Sequence, residues 1–461
     1  MSVSSHTDEL DSSATTFVDF DHTLLGANST ELFIGFCRPS IVAALIDFLV
    51  RRCFPWAIFR VEKSYRLRDY VCCLVLVVLT PWNLVRWRRD APALFEIWKS
   101  RAVDAMLPSP ASVVIVSFGI VAVIEPMLRS SRWAGRPVIA TTLLTGLDYF
   151  RRGKVDLVRA RFDDATVARS RFITDSEDDR DLLDAAGDGV LIEPQGERNI
   201  AAHRLYLPFR YTLGAKYPRG YVVDQFLFVD VCLLIVCAAT DLRSLAQFAV
   251  IAPLMVASFM CVYEIGYFEN DFVGASREAT PTLTPSVRSY EHYPIAVNAW
   301  VWAALLGAAG IFAADFCGLL KLRPELAGLA WAAILLLARA TFYVYNRQPS
   351  HSRLYLYVLL QLEKSGLIFV VLPSTLLGIV MVASHVITMW IVYIVYRLGG
   401  RRKELEKEWL RPTIFVISAG LLVLADPARL AGQALPLTFI LAWSALRLAK
   451  QPLMRRLRPR T

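Results

Sequence analysis

Two aspartates near the start of the chain, Asp19 and Asp21, stand at the end of a short apolar run in the segment TFVDFDHTLL of residues 16–25. Alternate residues of an extended chain share a face, so both carboxylates can converge on one site. Paired carboxylates at a strand end suit nucleophilic attack on phosphorus and proton transfer, with a metal ion offsetting their repulsion. The pattern therefore predicts phosphoryl chemistry at this position.

Two later apolar runs also end in polar residues and are predicted to be strands. The first covers residues 113–116 and the second residues 171–174. A lysine precedes the second run by less than twenty residues. The polar residues associated with these runs are Ser117, Lys154, Asp175 and Asp179.

In this order the motifs resemble those of the haloacid dehalogenase superfamily of phosphatases, over about residues 14–195. The resemblance implies an α/β fold with a Rossmann-like parallel sheet and a helical cap at about residues 30–105. It also implies a role for each motif residue: Asp19 as nucleophile, Asp21 as acid and base, Thr23 completing the motif, Ser117 holding the phosphoryl group, Lys154 offsetting charge, and Asp19, Asp21, Asp175 and Asp179 holding Mg²⁺. The alternatives are a fold of this type without activity, or aspartates that only cap helices.

Composition predicts a second, membrane-embedded part. Hydrophobic residues make up 55% of the 461 residues and the mean hydropathy is +0.43, which excludes a disordered chain and disfavours a purely soluble one. The net charge of +9 divides into −2 for residues 1–200 and +11 for residues 201–461. We therefore expect a near-neutral soluble domain at 14–200, after a disordered segment at 1–13, and a basic membrane domain at 201–450.

Eight membrane spans are predicted from apolar runs of roughly 20 residues, with nine if one is missed. They lie at about 222–240, 244–264, 294–314, 325–345, 354–373, 377–397, 412–425 and 430–448. Basic residues concentrate in the segments on the side of the N-terminus, which predicts a cytoplasmic first domain in a bacterial-type inner or plasma membrane. The basic tail at 451–461 is expected to contact anionic lipid headgroups rather than nucleic acid.

The stretch at 39–88 is also apolar but is interrupted by Pro81. We favour a helix buried in the soluble domain. The alternative is a helix in the membrane interface, with Trp82, Trp87 and the basic residues of 86–89 at headgroup depth.

Acidic residues recur after the second predicted span. Glu264, Asp271 and Glu278 are seven residues apart, which places them on one face if the helix continues. Ionisable groups at the end of a membrane helix are costly and usually functional. Such carboxylates could hold Mg²⁺ and, through it, a diphosphate.

This segment resembles the UbiA superfamily of intramembrane prenyltransferases, over about residues 200–450. Asn270, Asp271 and Glu278 match three positions of the family's first acidic motif, while Gly274 replaces its middle aspartate. No second acidic motif follows. Basic and polar residues on one face of the fourth and fifth spans are predicted instead to contact phosphate, with Arg210 a further candidate: Arg339, Asn346, Arg353 and Lys364. The alternative is that the cations extend to the interface.

The two resemblances together predict a Mg²⁺-dependent phosphatase fused to a membrane transferase that acts on polyprenyl (di)phosphates. Its expected partners are a polyprenyl lipid, a phosphorylated donor and membrane lipids, without nucleic acid. One alternative is a polyprenyl-phosphate phosphoribosyltransferase whose 5-phosphate product the phosphatase domain would dephosphorylate. The other is a non-enzymatic membrane scaffold.

Overall fold

The computed structural model describes residues 15–54, 56, 64–107, 112–144, 153–196, 200–217, 220–277, 281, 283–349, 352–400 and 405–457. The chain divides into two compact units, Met1–Leu207 and Pro208–Thr461. The boundary was predicted after residue 200. It lies after Leu207 in the structure because Ile200, Ala201 and Leu205 pack into the hydrophobic core of the first unit. The segment predicted to be disordered, 1–13, lies outside the described residues.

A parallel sheet forms the centre of the first unit, with strand order β3-β2-β1-β4-β5. The strands are β1 (Thr16–Asp19), β2 (Val113–Ile120), β3 (Val138–Thr141), β4 (Arg171–Thr174) and β5 (Asp188–Leu191). All four residues of β1 are buried, as expected for a central strand covered on both faces. Both neighbours of β1 run parallel to it, so the carboxyl ends of these three strands share one edge. The prediction of a parallel sheet in the N-terminal part is confirmed.

Helices occupy the chain between β1 and β2, where a cap was predicted, and the other connections of the sheet. They are α1 (Ser29–Phe36), α2 (Ser40–Phe48), α3 (Ser64–Leu79), α4 (Trp82–Trp98), α5 (Arg101–Met106), α6 (Val121–Leu128), α7 (Lys154–Arg159), α8 (Asp164–Ala168), α9 (Arg180–Ala185) and α10 (Ile200–Arg204). A π-helical turn, Leu49–Cys53, follows α2. Asn28 caps α1 by accepting a hydrogen bond from the Glu31 N–H at 3.0 Å.

The apolar stretch at 39–88 contributes to the core of this unit. Cys72, Cys73 and Leu76 of α3 and Trp87 of α4 are fully buried there. Trp87 Nε1 donates to the carbonyl oxygen of Val123 at 2.9 Å. The structure therefore places Trp87 in the protein core and not at headgroup depth, while an interfacial position for the exposed part of the stretch stays a prediction.

The second unit is helical. Its α-helices are α11 (Cys232–Ala238), α12 (Leu242–Glu269), α13 (Ile295–Phe316), α14 (Pro324–Arg347), α15 (Arg353–Ser365), α16 (Leu376–Arg397), α17 (Lys407–Ala425) and α18 (Ala434–Leu457). π-Helical segments lie at Thr212–Lys216, Val222–Val231 and Asn270–Gly274. The last helix continues to Leu457, into the predicted tail.

Within the described residues, five helices are long and apolar enough to cross a membrane: Leu242–Arg277, Ile295–Phe316, Pro324–Arg347, Leu376–Arg397 and Lys407–Ala425. A sixth candidate is the pair Leu67–Leu79 and Trp82–Trp98, which is bent by 114°. These helices are compatible with an integral membrane protein. The other predicted spans contain helices, but these do not meet both the length and the hydropathy criterion. The count of eight spans therefore stays a prediction.

Replacing Trp87 with alanine should destabilise the first unit by about 3–5 kcal/mol, because a fully buried aromatic side chain leaves a cavity. Trp82 is half exposed, and its Nε1 donates to the Arg38 carbonyl oxygen. Trp82→Ala is therefore the matched control and should cost about 1 kcal/mol. Unfolding on heating is followed with a maleimide dye that becomes fluorescent when it reacts with thiols, such as those of Cys72 and Cys73, that unfolding exposes. Equal midpoints for the two variants would contradict the packing described here.

Candidate functional site

A cavity of about 160 Å³ lies at the carboxyl edge of β1, β2 and β4. Six of the residues predicted for the phosphoryl site line it: Asp19, Asp21, Ser117, Lys154, Asp175 and Asp179. They come from four separate stretches of the chain, and the parallel sheet brings them together.

Lys154 links two of the buried aspartates. Its ammonium nitrogen lies 2.7 Å from Asp19 Oδ1 and 2.6 Å from Asp179 Oδ2. Burial raises the pKa of the Asp19 carboxyl, the Lys154 ammonium opposes this, and the negative charges of Asp179 and Asp21 add to it. Lys154 therefore favours the ionised form of Asp19, which a nucleophile requires.

Asp179, at the back of this cavity, contacts Lys154 and Thr174. Its Oδ2 accepts the Lys154 hydrogen bond and a second from the Thr174 hydroxyl at 2.8 Å. The structure thus places this predicted metal ligand where it orients Lys154.

Asp21 and Ser117 meet across the sheet edge. The Ser117 hydroxyl donates to Asp21 Oδ2 at 3.1 Å, and the Ser29 N–H at the start of α1 donates to Asp21 Oδ1 at 2.6 Å. The N–H of Gly119 donates to Ser117 Oγ at 2.8 Å. A Cβ at position 119 would lie 2.8 Å from the end of the Ile124 side chain and 3.1 Å from Asp21 Oδ2, so a larger residue would crowd this part of the site.

Thr23 is fully buried and holds Asp175 in place. Its hydroxyl donates to Asp175 Oδ1 at 3.0 Å, and the Asp175 N–H donates back to the same hydroxyl at 3.0 Å. This reciprocal pair connects the turn after β1 to the turn after β4. Thr23 therefore positions the site without lining the cavity.

The first cavity offers a donor set of carboxylate oxygens, which is the chemistry that Mg²⁺ prefers. In the part of the chain that the structure describes, no group of three or more His, Cys, Asp or Glu side chains is close enough to hold a metal ion. Mg²⁺ commonly uses one or two carboxylates and completes its shell with water and phosphate oxygens. Asp19, Asp21 and Asp175 line the cavity and supply carboxylate oxygens of this kind.

Sequence reasoning missed several residues of this cavity. His22, Asn28 and Thr30 line it, together with Asp69 and Tyr70 of α3. The pattern Asn-Ser-Thr-Glu at 28–31 is a helix N-terminus signal and could have placed Asn28 and Thr30 beside Asp21. Asp69 and Tyr70 are brought there by tertiary packing of the cap helix, for which the spacing holds no signal.

The second unit contains a larger cavity of about 800 Å³. Asn270, Asp271 and Lys364, which were predicted as site residues, line it. Asp271 is buried; its Oδ1 lies 2.7 Å from Lys216 Nζ, and its Oδ2 accepts from the Tyr211 hydroxyl at 2.8 Å. Lys364 pairs with Asp230 at 2.7 Å. Lys216, which also lines this cavity, was not predicted.

Tyrosines form much of the wall of this cavity: Tyr217, Tyr221, Tyr263, Tyr267, Tyr345, Tyr357, Tyr393 and Tyr396. Two pairs at helical i, i+4 spacing, Tyr263–Tyr267 and Tyr217–Tyr221, contact each other with ring centroids 5.1 Å and 5.3 Å apart. Tyrosine presents an apolar ring and a polar hydroxyl, which suits a ligand with an apolar chain and a polar head.

Glu264 and Asp271 face the same segment of the chain, as their spacing predicts. Glu264 accepts from the N–H and the hydroxyl of Thr212, both at 2.8 Å, and from the Phe209 N–H at 3.2 Å. It thereby holds the segment that carries Tyr211 and Lys216 against Asp271. Glu278 lies outside the described residues.

Four of the predicted phosphate contacts are placed away from the residues that line the second cavity. Arg339 forms an ion pair with Glu269, and the Asn346 amide donates to the Gly266 carbonyl oxygen at 2.9 Å. Arg353 donates to the carbonyl oxygens of Gln348 and Gly274. The carbonyl oxygen of Arg210 accepts from Tyr290. Arg339 and Asn346 of the fourth predicted span thus contact a neighbouring helix. The polar face of the fifth predicted span instead reaches the cavity, because Lys364 lines it together with Tyr357 and Gln361 of the same helix.

The described residues at Asp271 do not by themselves form a Mg²⁺ site. They supply a single aspartate beside Asn270, and both oxygens of that aspartate already accept hydrogen bonds. Lys216 is the group at this end whose charge suits a phosphate oxygen directly.

Comparison of the whole chain with protein-family models, with curated proteins and with solved structures finds no match. The functional argument therefore depends on the geometry of the two cavities.

Lys154→Met should destabilise the protein by about 3–5 kcal/mol, because it leaves Asp19 and Asp179 buried without their cation. A buried carboxyl group whose pKa is higher in the folded than in the unfolded protein disfavours folding when it is ionised. The loss of unfolding free energy in Lys154→Met should therefore be larger at about pH 8 than at about pH 5. Thermal unfolding of the full chain, followed by tryptophan fluorescence at both pH values, measures this.

The matched control is Lys99→Met. Lys99 pairs with Glu96 on a partly exposed surface, and such pairs contribute about 0–1 kcal/mol. An equal loss for both variants, or a loss for Lys154→Met that does not grow with pH, would contradict a buried charge-compensating role.

Proposed function

We propose that the first unit is a Mg²⁺-dependent phosphomonoesterase of the haloacid dehalogenase type. The observation that carries the proposal is the convergence of Asp19, Asp21, Ser117, Lys154 and Asp175 on one cavity at the carboxyl edge of the sheet. Ligand sites of open α/β sheets characteristically lie at this edge.

In the proposed reaction, a carboxylate oxygen of Asp19 attacks the phosphorus atom and the bond to the leaving oxygen breaks. Asp21 donates a proton to that oxygen, so that an alcohol leaves. Water then attacks the phosphorus of the aspartyl phosphate, Asp21 takes a proton from it, and phosphate is released with Asp19 regenerated.

The surrounding residues supply charge and position. The Ser117 hydroxyl and the Lys154 ammonium line the cavity and would hold phosphoryl oxygens, and Lys154 also favours the ionised form of Asp19. Mg²⁺, held by carboxylates of this edge, would offset the negative charge of the phosphoryl group. Thr23 acts through Asp175, whose orientation it controls.

We also propose that the second unit is a membrane transferase of the UbiA type that acts on a polyprenyl phosphate. The support is a tyrosine-walled cavity among apolar helices with the Lys216–Asp271 pair and Lys364 in its lining. Such a cavity combines an apolar surface for a lipid chain with cations for phosphate oxygens.

Phosphoribosyl transfer to polyprenyl phosphate is the more specific candidate within this class. The cations in the cavity favour it, because a sugar-diphosphate donor and a lipid-phosphate acceptor both present phosphate groups. The ribose 5-phosphate carried by that product is a phosphomonoester, which the first unit would hydrolyse. A non-enzymatic scaffold would need neither site.

Asp19→Asn in the full chain should abolish Mg²⁺-dependent phosphate release from a panel of phosphomonoesters, since the nucleophile is lost. Asp21→Asn should lower the rate by about 10²–10⁴-fold, as expected for loss of a general acid. The control is Asp188→Asn, which changes a partly exposed aspartate on β5 that pairs with Arg171. Activity that survives Asp19→Asn would contradict the assignment, as would its absence from the unaltered chain.

Asp271→Ala should abolish incorporation of label into lipid by membranes that contain the protein, because Lys216 and Tyr211 lose the carboxylate that positions them. Membranes are supplied with labelled prenyl diphosphate or labelled phosphoribosyl diphosphate, and the label that enters lipid identifies the transfer. Asp315→Ala, at an exposed position near the end of α13, is the control. No incorporation from either donor would instead favour the scaffold.

A further inference from the structure

A second polar layer adjoins the large cavity of the membrane unit. Helix α16 contributes Met389 and Val392 to the cavity lining, and His385 lies one turn before Met389 on the same face. Helix α17 contributes Lys407, and Arg411 lies one turn after it on the same face. We call His385, Lys407 and Arg411 the basic layer.

Two members of the basic layer are buried with hydrogen-bonding groups unused. Arg411 is 2% exposed and His385 is 1% exposed. Among the residues that the structure describes, Nε and Nη2 of Arg411 and both ring nitrogens of His385 have no hydrogen-bond partner. A buried donor without a partner costs about 1–3 kcal/mol, and more when it is charged. A ligand that accepts hydrogen bonds would remove this cost.

The charges around the basic layer also favour an anion. Glu408 receives hydrogen bonds from Arg411 at 3.4 Å and from Arg447 at 3.0 Å, and Lys407 acts on the same carboxylate. Asp230 also acts on Arg411, so within the described ranges the four cations Lys364, Lys407, Arg411 and Arg447 share the two carboxylates Glu408 and Asp230. Lys364, which forms an ion pair with Asp230, is close enough to act on His385. Uncompensated positive charge inside a helical bundle is costly and usually functional.

The position of the layer separates it from the Asp271 end of the cavity. Asp271 is engaged by Lys216 and Tyr211, which belong to the segment before the first helix of this unit. The basic layer is built from α16 and α17. The two groups of cations therefore come from different elements, and under the transferase proposal each would contact a different phosphate group.

We infer that the basic layer is a phosphate-binding subsite that takes the phosphomonoester head of the lipid substrate. The inference deepens the transferase proposal and rests on it. Arginine suits this ligand because its planar guanidinium can donate two parallel hydrogen bonds to phosphate oxygens. The tyrosine-lined cavity beside the layer would then hold the attached apolar chain.

Binding of tritiated farnesyl phosphate to the purified full chain in detergent, with EDTA present, tests the inference. EDTA removes any Mg²⁺-dependent binding at the Asp271 end of the cavity. Arg411→Met should weaken binding by about tenfold or more, the factor expected for loss of a hydrogen bond to a charged group. Arg411→Lys, which keeps the charge, should lose less. Arg429→Met is the matched control, because Arg429 is exposed and pairs with Asp426 away from the cavity.

Competition by farnesol and by inorganic phosphate identifies what the subsite binds. Displacement by unlabelled farnesyl phosphate but not by farnesol supports recognition of the phosphate. If inorganic phosphate displaces the label only weakly, the ligand of the subsite is the lipid phosphate. Equal displacement by inorganic phosphate supports the subsite with free phosphate as its ligand. Unchanged affinity of Arg411→Met, or equal competition by farnesol, would overturn the inference.

Two controls distinguish a variant that fails to fold from one that has lost only the subsite. A folded variant keeps its thermal midpoint and retains phosphate release by the first unit. Because the assay requires no transfer, its failure leaves the transferase proposal standing. Binding without any incorporation of label would contradict the transferase while supporting the subsite.

Discussion

Compensation of buried charge is the constraint on which both cavities depend. Lys154 lies between Asp19 and Asp179 in the first unit, and Lys216 pairs with Asp271 in the second. An ionised carboxylate buried without such a partner would take up a proton or destabilise the fold. The same cations that make these carboxylates tolerable also suit phosphate oxygens. We propose that these same cations contact a phosphorylated ligand in each cavity.

The two units reach this arrangement by different routes. In the first, parallel strands end at one edge, so short motifs far apart in sequence meet there, and contacts such as Thr23–Asp175 then fix their positions. In the second, the end of α12 continues into a π-helical segment at Asn270–Gly274, and the preceding segment packs against it through Glu264 and Asp271. The sheet positions its site by topology, whereas the helical unit does so through individual polar contacts.

That difference explains how much could be predicted from the sequence. The motifs around Asp19, Ser117 and Asp175 predicted the parallel sheet through the family resemblance that they carry, and the parallel strands bring these residues to one cavity. One-sided polar stripes were insufficient in the helical unit, because periodicity does not say which neighbour a face meets. Arg339, for example, was predicted to contact phosphate and instead pairs with Glu269. Lys216 and Lys407 line the cavity, although no spacing in the sequence indicated them.

The most direct test of the account is identification of the phosphoryl acceptor in the first unit. The full chain is mixed with a ³²P-labelled phosphomonoester and Mg²⁺, quenched in acid within one turnover and digested for peptide mapping. The account predicts label on the peptide that contains Asp19, with none in an Asp19→Asn variant. Label on Ser117, or hydrolysis without any labelled peptide, would contradict Asp19 as the nucleophile.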